Sequence, residues 1–313
     1  MSITQQSPTS SFAREESKPV ITSRPLSPEQ INQYHQDGFI IIPKFFDPEE
    51  IAPLQKLLAE DPELKGSWTQ RNTNKQGDNF KVSVWTELGN TLLGVIPRIA
   101  RMVDAVEALL GDKCYHWHSK IVKVQPGNSG LAWHQDYDYW YQDGCLFPQL
   151  LTCTIAISSA SKENGCLRVV KKSHLLGRVN HVIVKEKGNQ NIPESPRLEK
   201  ILEKLEVVYC EIAPGDVIFF HANTFHGSGS NSSDGSRLLM HCSYNAVDNE
   251  PFLKKGQDHH RYRPLIKLPD SIIKEGSYDS GFQQHDFHPT ETDNSLGKGV
   301  FFREAWASSN SNG

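Results

Sequence analysis

The feature that most constrains the fold of this chain is a set of three potential metal ligands on two distant segments. His134 and Asp136 are two residues apart, and His226 follows far along the chain. Alternate side chains of a β-strand lie on one face, so we expect His134 and Asp136 to project together and Gln135 to point away. Two imidazoles and one carboxylate leave open positions on a metal, as non-haem Fe(II) needs for a chelating ligand and O2. The chain is therefore expected to bring these segments together around one ion.

The region after His226 predicts an anion site beside that metal. A loop rich in turn-forming residues, 227–235, leads into an apolar strand that begins at Arg237. We expect this strand to form a hairpin with the His226 segment. Strand periodicity places one set of alternate residues on a common face: Arg237, Leu239, His241 and Ser243. A guanidinium there matches the distal carboxylate of a dicarboxylic acid, and Ser228 is expected to add a hydroxyl donor.

Chance spacing is the alternative to this interpretation, because the chain contains 13 histidines. An isolated His-x-Asp pair is more often ordinary polar sequence than a ligand set. Arg237 alone would most often form an ion pair, and Ser228 alone would be a turn residue. The occurrence of all of them in register favours the metal site.

Secondary-structure signals divide the chain into a helical first part and a β-rich second part. A capping box predicts a helix start at Ser27, an acidic cap at Asp47 predicts a second helix to about Leu58, and a third is expected from Pro97 to Gly111. Predicted strands follow at 115–124, 131–137, 150–158, 166–170, 206–212, 217–220 and 237–245. Helices followed by short strands indicate an α+β fold with a double-sheet jelly-roll core.

Composition predicts one soluble catalytic domain. The sequence has 313 residues, and we expect a tail at 1–26 that lacks fixed structure, a single domain at 27–305 and a flexible end at 306–313. A net charge of -4 gives no general case for binding nucleic acid or an anionic membrane. No apolar run reaches the roughly 18 residues that span a bilayer, and no signal-peptide pattern is present. Six cysteines without CxxC spacing indicate free thiols in a reducing compartment, so a cytoplasmic location is expected.

A resemblance to a known family rests on several motifs in order. They are Trp133-His-Gln-Asp-Tyr-Asp-Tyr-Trp140 with Asp143-Gly144, Glu163-Asn-Gly-Cys-Leu167, Ser173-His174, His226-Gly-Ser-Gly-Ser-Asn231, Arg237 and Tyr244-Asn-Ala-Val-Asp-Asn249. On these residues the chain resembles the phytanoyl-CoA dioxygenase family of Fe(II)/2-oxoglutarate oxygenases, and within it the ectoine and free-proline hydroxylase branch. The resemblance extends from about residue 27 to about residue 269.

The resemblance implies a fold, a set of cofactors and site residues. The fold would be a double-stranded β-helix, a cupin-like jelly roll, with flanking N-terminal helices. The cofactors would be Fe(II), 2-oxoglutarate as cosubstrate and O2, with ascorbate as the reductant in vitro. His134, Asp136 and His226 would hold the iron, and Arg237 with Ser228 would hold the far carboxylate of 2-oxoglutarate. Halogenating relatives lack the carboxylate ligand, so Asp136 favours hydroxylation over halogenation.

The expected substrate pocket differs from that of ectoine hydroxylase. Leu131 and His241 stand where ectoine hydroxylases carry aromatic residues, and His118 and Val122 stand where close relatives carry amides. On the strand over 115–124 we expect one polar face, which carries His116, His118 and Lys120. The residues predicted to bind the substrate are Trp140, His118, Lys120 and His241. Polar groups beside aromatic walls suit a small amino-acid-like molecule or a natural-product scaffold.

Hydroxylation of an unactivated C–H bond, with release of succinate and CO2, is the leading functional hypothesis. The same iron site is also compatible with desaturation, epimerisation or ring closure in secondary metabolism, because these reactions differ in how the substrate is placed. A catalytically silent metal-binding sensor or scaffold is a rival of another class. A small-molecule substrate is the only partner that the sequence predicts. His259, His260, His285 and His288 lie in polar sequence and are expected to be solvated loop residues.

Overall fold

The computed structural model describes residues 26–60, 69–72, 79–184, 190–253 and 260–276. The helices are α1 (Pro28–Asp37), α2 (Pro48–Glu60), α3 (Leu92–Val95), α4 (Ala100–Leu110), α5 (Asp136–Gln142), α6 (Ser195–Lys204) and α7 (Ile272–Glu275). The strands are β1 (Phe39–Ile42), β2 (Thr69–Asn72), β3 (Asn79–Trp85), β4 (Cys114–Val124), β5 (Leu150–Ala156), β6 (Leu167–Val170), β7 (His181–Val184), β8 (Gln190–Pro193), β9 (Val207–Cys210), β10 (Val217–His221), β11 (His226–Ser228) and β12 (Arg237–Ala246). Several predicted features lie outside the described residues. They are the expected tails, the end of the expected domain, and His259, His285 and His288.

The strands form antiparallel sheets of unequal size. A seven-stranded sheet has the order β1-β10-β5-β12-β4-β3-β2, and a three-stranded sheet has the order β11-β6-β9. Strands β7 and β8 pair separately. The α+β prediction is confirmed in this form, with the helices mainly at the beginning of the chain and antiparallel sheets after them.

The two faces of the large sheet pack against different partners, as the strand period of two requires. Val217 and Phe219 of β10 join the core that the sheet forms with helices α2 and α4. Ile218 and Phe220, the alternating residues, pack on the three-stranded sheet through Leu167 and its neighbours. The small sheet therefore covers the large one on the side opposite the helices, and the site lies between the two sheets.

The predicted helix boundaries agree closely with the structure. Ser27 Oγ accepts from the Gln30 backbone N–H and the Gln30 side chain accepts from the Ser27 N–H, which confirms the capping box. Helix α4 begins three residues later than predicted, after a short 3-10 turn, and ends at Gly111 in the left-handed conformation at φ +70°. None of the described helices is long and apolar enough to cross a membrane.

One predicted strand is wrong. Residues 131–137 do not form a strand; His134 makes a single β-bridge to His226, and Asp136 is already the first residue of helix α5. Acidic side chains are favourable in the first turn of a helix because they face its unpaired N–H groups, and α5 carries both Asp136 and Asp138 there. The alternation over 131–137 predicts a strand, whereas the acidic residues at its end begin helix α5.

A β-bulge overturns the predicted face of β4. His118 lies opposite Ser243, but His116 lies opposite Tyr244, so Trp117 is an extra residue on its strand. Directly opposed residues share a face, and the His116 ring lies 6.1 Å from the Tyr244 ring, on the side of the helices. His116 therefore does not share the inner face with His118 and Lys120.

Candidate active site

Three side chains converge between the sheets as the sequence predicts. His134 Nε2 and His226 Nε2 each lie 3.6 Å from Asp136 Oδ1. One ligand atom from each residue falls within a group whose members are all within 4.8 Å of one another, and all three residues are buried. The convergence comes from the β-bridge and the start of α5, because the His134 and His226 backbones exchange N–H···O bonds of 2.9 and 3.0 Å.

The far nitrogen of each imidazole is fixed by the backbone. His134 Nδ1 lies 2.9 Å from the Ala132 carbonyl oxygen, and His226 Nδ1 lies 2.9 Å from the Thr224 carbonyl oxygen. A carbonyl only accepts, so each Nδ1 carries the proton and each Nε2 presents a lone pair to the site. Burial lowers the pKa of His226 to about 3, which keeps this ring in the neutral, ligating form.

The Asp136 carboxylate is divided between the protein and the site. Thr152 Oγ1 donates to Oδ2 over 3.0 Å, while Oδ1 faces both histidines. Burial opposes ionisation of Asp136, but positive charge beside it, on His226 or His134 when these rings are protonated and on Lys120, outweighs burial and holds the pKa of the carboxyl well below its usual range. Two neutral imidazoles and an ionised carboxylate fit a divalent ion such as Fe(II).

Gln135, between the two ligands, is a supporting residue whose role the sequence reasoning missed. It points away from the triad, as expected, and is fully buried. Its amide nitrogen donates to the Gly177 and Asn223 carbonyls, and its amide oxygen accepts from the Val179 N–H. The Gln135 backbone N–H donates to His181 Nε2 over 3.1 Å. The ligand loop is therefore tied to two other segments, and a fully buried amide with every polar atom paired holds its position firmly.

Arg237 is buried in this region and has no acidic partner among the residues that the structure describes. Its side chain is 2% exposed, and one guanidinium N–H donates to the Gly165 carbonyl. Nε has no hydrogen-bond partner among the described residues. Burial lowers the pKa of Arg237 to about 10, which still leaves the group charged at neutral pH. A buried cation without a counter-ion calls for an anionic ligand.

The strand that carries Arg237 pairs with other strands than the sequence predicts. Strand β12 pairs with β4 and β5, whereas β11 pairs with β6 in the small sheet. The predicted hairpin is wrong, because β11 and β12 belong to two sheets. Arg237 and His226 instead face each other across one cavity. Gly165 makes the approach possible, since it has φ +78° and any side chain there would collide with the Gly229 carbonyl.

Most of the site residues predicted from the sequence line this cavity. It is lined by His134, His226, Arg237, Ser228, Lys120, His241, Val122, Leu131, Leu167, Phe220, Gly227 and Leu239. Ser228 Oγ accepts from the Leu131 N–H over 2.8 Å, which directs its own proton elsewhere. His241 Nδ1 lies 2.8 Å from Thr154 Oγ1. Lys120 and His241, predicted to bind the substrate, thus line the same cavity as the guanidinium.

Two other predicted substrate residues, His118 and Trp140, belong to a neighbouring aromatic cluster. Their rings lie 6.2 Å apart, and both residues are buried. His260 joins them, with its ring 6.1 Å from His118, and is 3% exposed. The prediction of a solvated His260 is therefore wrong. Only the tertiary fold brings this residue next to β4, and its polar sequence context carries no signal of that.

Comparisons with known proteins agree with this geometry. The family model described as phytanoyl-CoA dioxygenase (PhyH) matches residues 34–239. The ectoine dioxygenase of Bordetella bronchiseptica is 28% identical over 241 residues, which cover 72% of this chain and 77% of that protein. Solved EctD from S. alaskensis with 2-oxoglutarate and 5-hydroxyectoine has a TM-score of 0.60 at 24% identity, covering 80% of this chain and 88% of its own.

A second solved structure with a similar fold is that of an epimerase. The epimerase SnoN in complex with Fe3+, alpha ketoglutarate and nogalamycin RO has a TM-score of 0.58 at 21% identity, covering 77% of this chain and 94% of its own. At these identities the likeness to the solved structures concerns the fold. The family model, in contrast, spans most of the chain and includes His134, Asp136 and His226 as well as Arg237. The resemblance drawn from the sequence is confirmed, and the chain belongs to the phytanoyl-CoA dioxygenase (PhyH) family.

Proposed function

We propose that this protein is a non-haem Fe(II)/2-oxoglutarate-dependent dioxygenase that hydroxylates an unactivated C–H bond of a small polar molecule, with release of succinate and CO2. The observation that carries the proposal is a buried two-His-one-carboxylate triad whose two histidines line the same cavity as a buried guanidinium that has no acidic partner among the described residues. The triad accounts for the metal and the guanidinium for a dianionic cosubstrate. The PhyH family match supports both assignments.

His134, Asp136 and His226 would hold the iron through two Nε2 atoms and Oδ1. Bound iron supplies O2 activation coupled to decarboxylation of 2-oxoglutarate, chemistry that no side chain can provide. Hydrogen bonds to the Ala132 and Thr224 carbonyls and from Thr152 orient the three donors before the metal arrives. A three-residue set leaves the remaining positions for other ligands, which a purely structural metal site would not need.

Arg237 would bind the far carboxylate of 2-oxoglutarate through its guanidinium. Ser228 would donate its hydroxyl proton to the same carboxylate, since its oxygen already accepts from Leu131. Lys120 lines the same cavity and would add a second positive charge. A guanidinium and an ammonium together match the charge of a dicarboxylate, and the low exposure of the cavity strengthens both interactions.

The proposal also covers the type of fold, the domain bounds and the cellular compartment. We assign the large and small sheets to a double-stranded β-helix, supported by their packing face to face around the triad. A single domain over 27–305, with tails at 1–26 and 306–313, is supported by residues near 270 that pack on α4, where Arg101 lies 3.8 Å from Asp270. All six cysteines are buried and free, which supports a reducing compartment such as the cytoplasm.

Mass analysis of products distinguishes hydroxylation from its rivals. The protein, with Fe(II), 2-oxoglutarate and ascorbate, is incubated with free amino acids, osmolytes and cyclic natural-product acids. The proposal predicts succinate formation and one product heavier than its substrate by one oxygen atom. Loss of two hydrogens would indicate desaturation or ring closure, and an unchanged mass with altered stereochemistry would indicate epimerisation. A protein that binds Fe(II) but never forms succinate would be a sensor or scaffold.

A further inference from the structure

A second cavity lies on the outer face of the three-stranded sheet and has no part in the proposed function. Its volume is about 360 Å³, which falls in the range of roughly 300–1,000 Å³ that is usual for small-molecule sites. Its described walls come from the segment before His134, from β6, β8 and helix α6, and from the loop that follows β11. The described residues that line it include neither a metal ligand nor Arg237. We call it the outer cavity.

Strand alternation separates the outer cavity from the iron site. Leu167 and Val169 of β6 pack towards the large sheet, so Arg168 between them projects from the opposite face. Trp133 packs on that opposite face too, against a cluster that joins Val170 to helix α6. The two faces of the small sheet therefore border two different cavities, and only the inner one contains the histidines of the triad.

Arg168 is the one charged side chain among the described residues that line the outer cavity. It is half-buried, and its Nη2 donates to the Ser228 carbonyl over 3.0 Å. Its Nε has no hydrogen-bond partner among the described residues, and none of those that line the cavity is acidic. The described part of the protein therefore leaves this guanidinium without a counter-ion. A carboxylate is the matching group, because its two oxygens accept from a guanidinium in parallel.

The guanidinium of Arg168 lies over the Trp133 ring, with Cζ 4.7 Å from the ring centroid. Gly227, which is opposite Arg168 in the neighbouring strand β11, has no side chain that would separate the two groups. A cation–π contact uses the charge of the guanidinium but leaves its N–H groups for other acceptors. This contact and the bond to Ser228 hold the side chain in one position, so its binding geometry is preorganised.

Apolar side chains form another part of the wall. Ile192 of β8 and Leu198 of α6 are half-buried there, and Trp133 adds an aromatic surface. Ser230, which also lines the cavity, is exposed, so a ligand has access from solvent. Covering apolar surface of this kind with a hydrocarbon or aromatic group is favourable. The outer cavity thus combines one cation with an apolar surface.

We propose that the outer cavity binds a small organic acid as a second ligand of this protein. The carboxylate of the acid pairs with Arg168, and its aromatic or branched aliphatic body covers Ile192 and Leu198 beside Trp133. This site is separate from the proposed iron chemistry, because none of these four residues lines the cavity that contains Arg237. A neutral amide of the same shape lacks the charge and binds more weakly.

Titration calorimetry with matched pairs tests the proposal. The probes are 3-phenylpropionate, indole-3-acetate and 4-methylpentanoate, each compared with its neutral amide. The full-length protein is first saturated with Mn(II) and 2-oxoglutarate, so that the probes do not compete for the cosubstrate cavity. We expect at least one acid to bind with a dissociation constant below about 1 mM and about tenfold or more tighter than its amide.

Four variants locate the binding. Arg168→Gln should weaken the acid about tenfold or more and remove its preference over the amide, because the charge is lost. Leu198→Trp should weaken both members of a pair about tenfold by filling the cavity. Lys200→Trp is the matched control, since Lys200 is exposed on the same helix, and it should bind like wild type. Arg237→Met should also bind the acid like wild type.

Several results would overturn the proposal. They are the absence of binding by every acid of the panel, an amide that binds as tightly as its acid in every pair, and wild-type affinity in Arg168→Gln or Leu198→Trp that circular dichroism shows to be folded. Loss of acid binding in folded Arg237→Met would place the acid in the cosubstrate cavity and would also overturn it. Succinate formation plays no part in this test, so the proposed function and the outer site stand or fall separately.

Discussion

Thr152 Oγ1 donates to Asp136 Oδ2 over 3.0 Å, and this bond leaves Oδ1 alone to face the two histidines. The hydroxyl in turn lies 2.9 Å from Ser243 Oγ, so the carboxylate is oriented by a chain of buried hydroxyls from two neighbouring strands. Partners of this kind set the direction of a ligand and its basicity. The metal site is therefore built from the sheet as much as from the ligand loop.

Replacing Thr152 by Val removes this bond with almost no change in volume. We expect the dissociation constant for Fe(II), or for Mn(II) as an oxygen-stable substitute, to rise about 10- to 100-fold. Thr154→Val is the matched control, because Thr154 lies two residues along the same strand but contacts His241. Titration of the metal into both variants measures the effect. Equal affinity in wild type and Thr152→Val would contradict the role given to the hydroxyl.

Arg237→Met should separate cosubstrate binding from folding. The variant loses the charge-assisted contacts to 2-oxoglutarate, and we expect the KM for 2-oxoglutarate to rise about 30-fold or more. The free energy of unfolding of the metal-free protein should instead rise by roughly 1–4 kcal/mol, because an uncompensated buried charge is removed. Urea unfolding and cosubstrate kinetics measure the two effects. A fall in stability with an unchanged KM would show that Arg237 is a structural residue.

Gln135→Met should weaken the fold around the ligands. The change leaves one buried carbonyl, one half-buried carbonyl and one buried N–H without their partner, and we expect a loss of about 2–5 kcal/mol in the free energy of unfolding. Gln142→Met is the control, since the Gln142 side chain bonds only to Asp138 one turn earlier in α5 among the contacts described. Chemical denaturation followed by circular dichroism measures both. A loss in Gln135→Met no larger than in the control would contradict the anchoring role.

His116 should make the stability of the protein pH-dependent. Burial lowers its pKa to about 3 from the usual 6.5, so between these values the unfolded chain takes up a proton that the folded chain does not. Its contribution to stability is therefore complete above pH 6.5 and is lost as the pH falls towards 3. His116→Gln should flatten the fall in unfolding free energy across this window by up to about 1.4 kcal/mol per pH unit. Urea titrations at pH 4.5 to 6.5 test this, and identical slopes would contradict it.

The sequence predicts which residues form the site better than it predicts which elements and contacts position them. The residues proposed to hold the iron, and Arg237 and Ser228 proposed to bind the cosubstrate, could be singled out because their chemistry and spacing are distinctive. The iron- and 2-oxoglutarate-dependent dioxygenase that they indicated is confirmed by the family match. The strands that carry regular alternation were also found, together with the capped helices. These signals are local, so a single sequence contains them.

The features that were missed depend on contacts between distant segments. The bulge opposite Ser243 and Tyr244 shifts the register of β4, and no local sequence pattern indicates an extra residue in a strand. Asp136 reads equally well as a strand residue or as the first residue of a helix. His260 is buried because its segment folds onto Tyr115, far away in sequence. Thr152 and Gln135 act by positioning other residues, and the presence of a threonine or a glutamine in a sequence does not by itself indicate such a role.

Succinate formation from 2-oxoglutarate by wild type and His134→Ala tests the central claim most directly. Both proteins are supplied with saturating Fe(II) and ascorbate, and circular dichroism establishes that both are folded. Asp136 and His226 alone cannot fix the ion with the same geometry, so we expect wild-type protein to form succinate and His134→Ala to form at least about 100-fold less. Equal turnover by the two folded proteins would contradict the claim that these three side chains hold a catalytic iron.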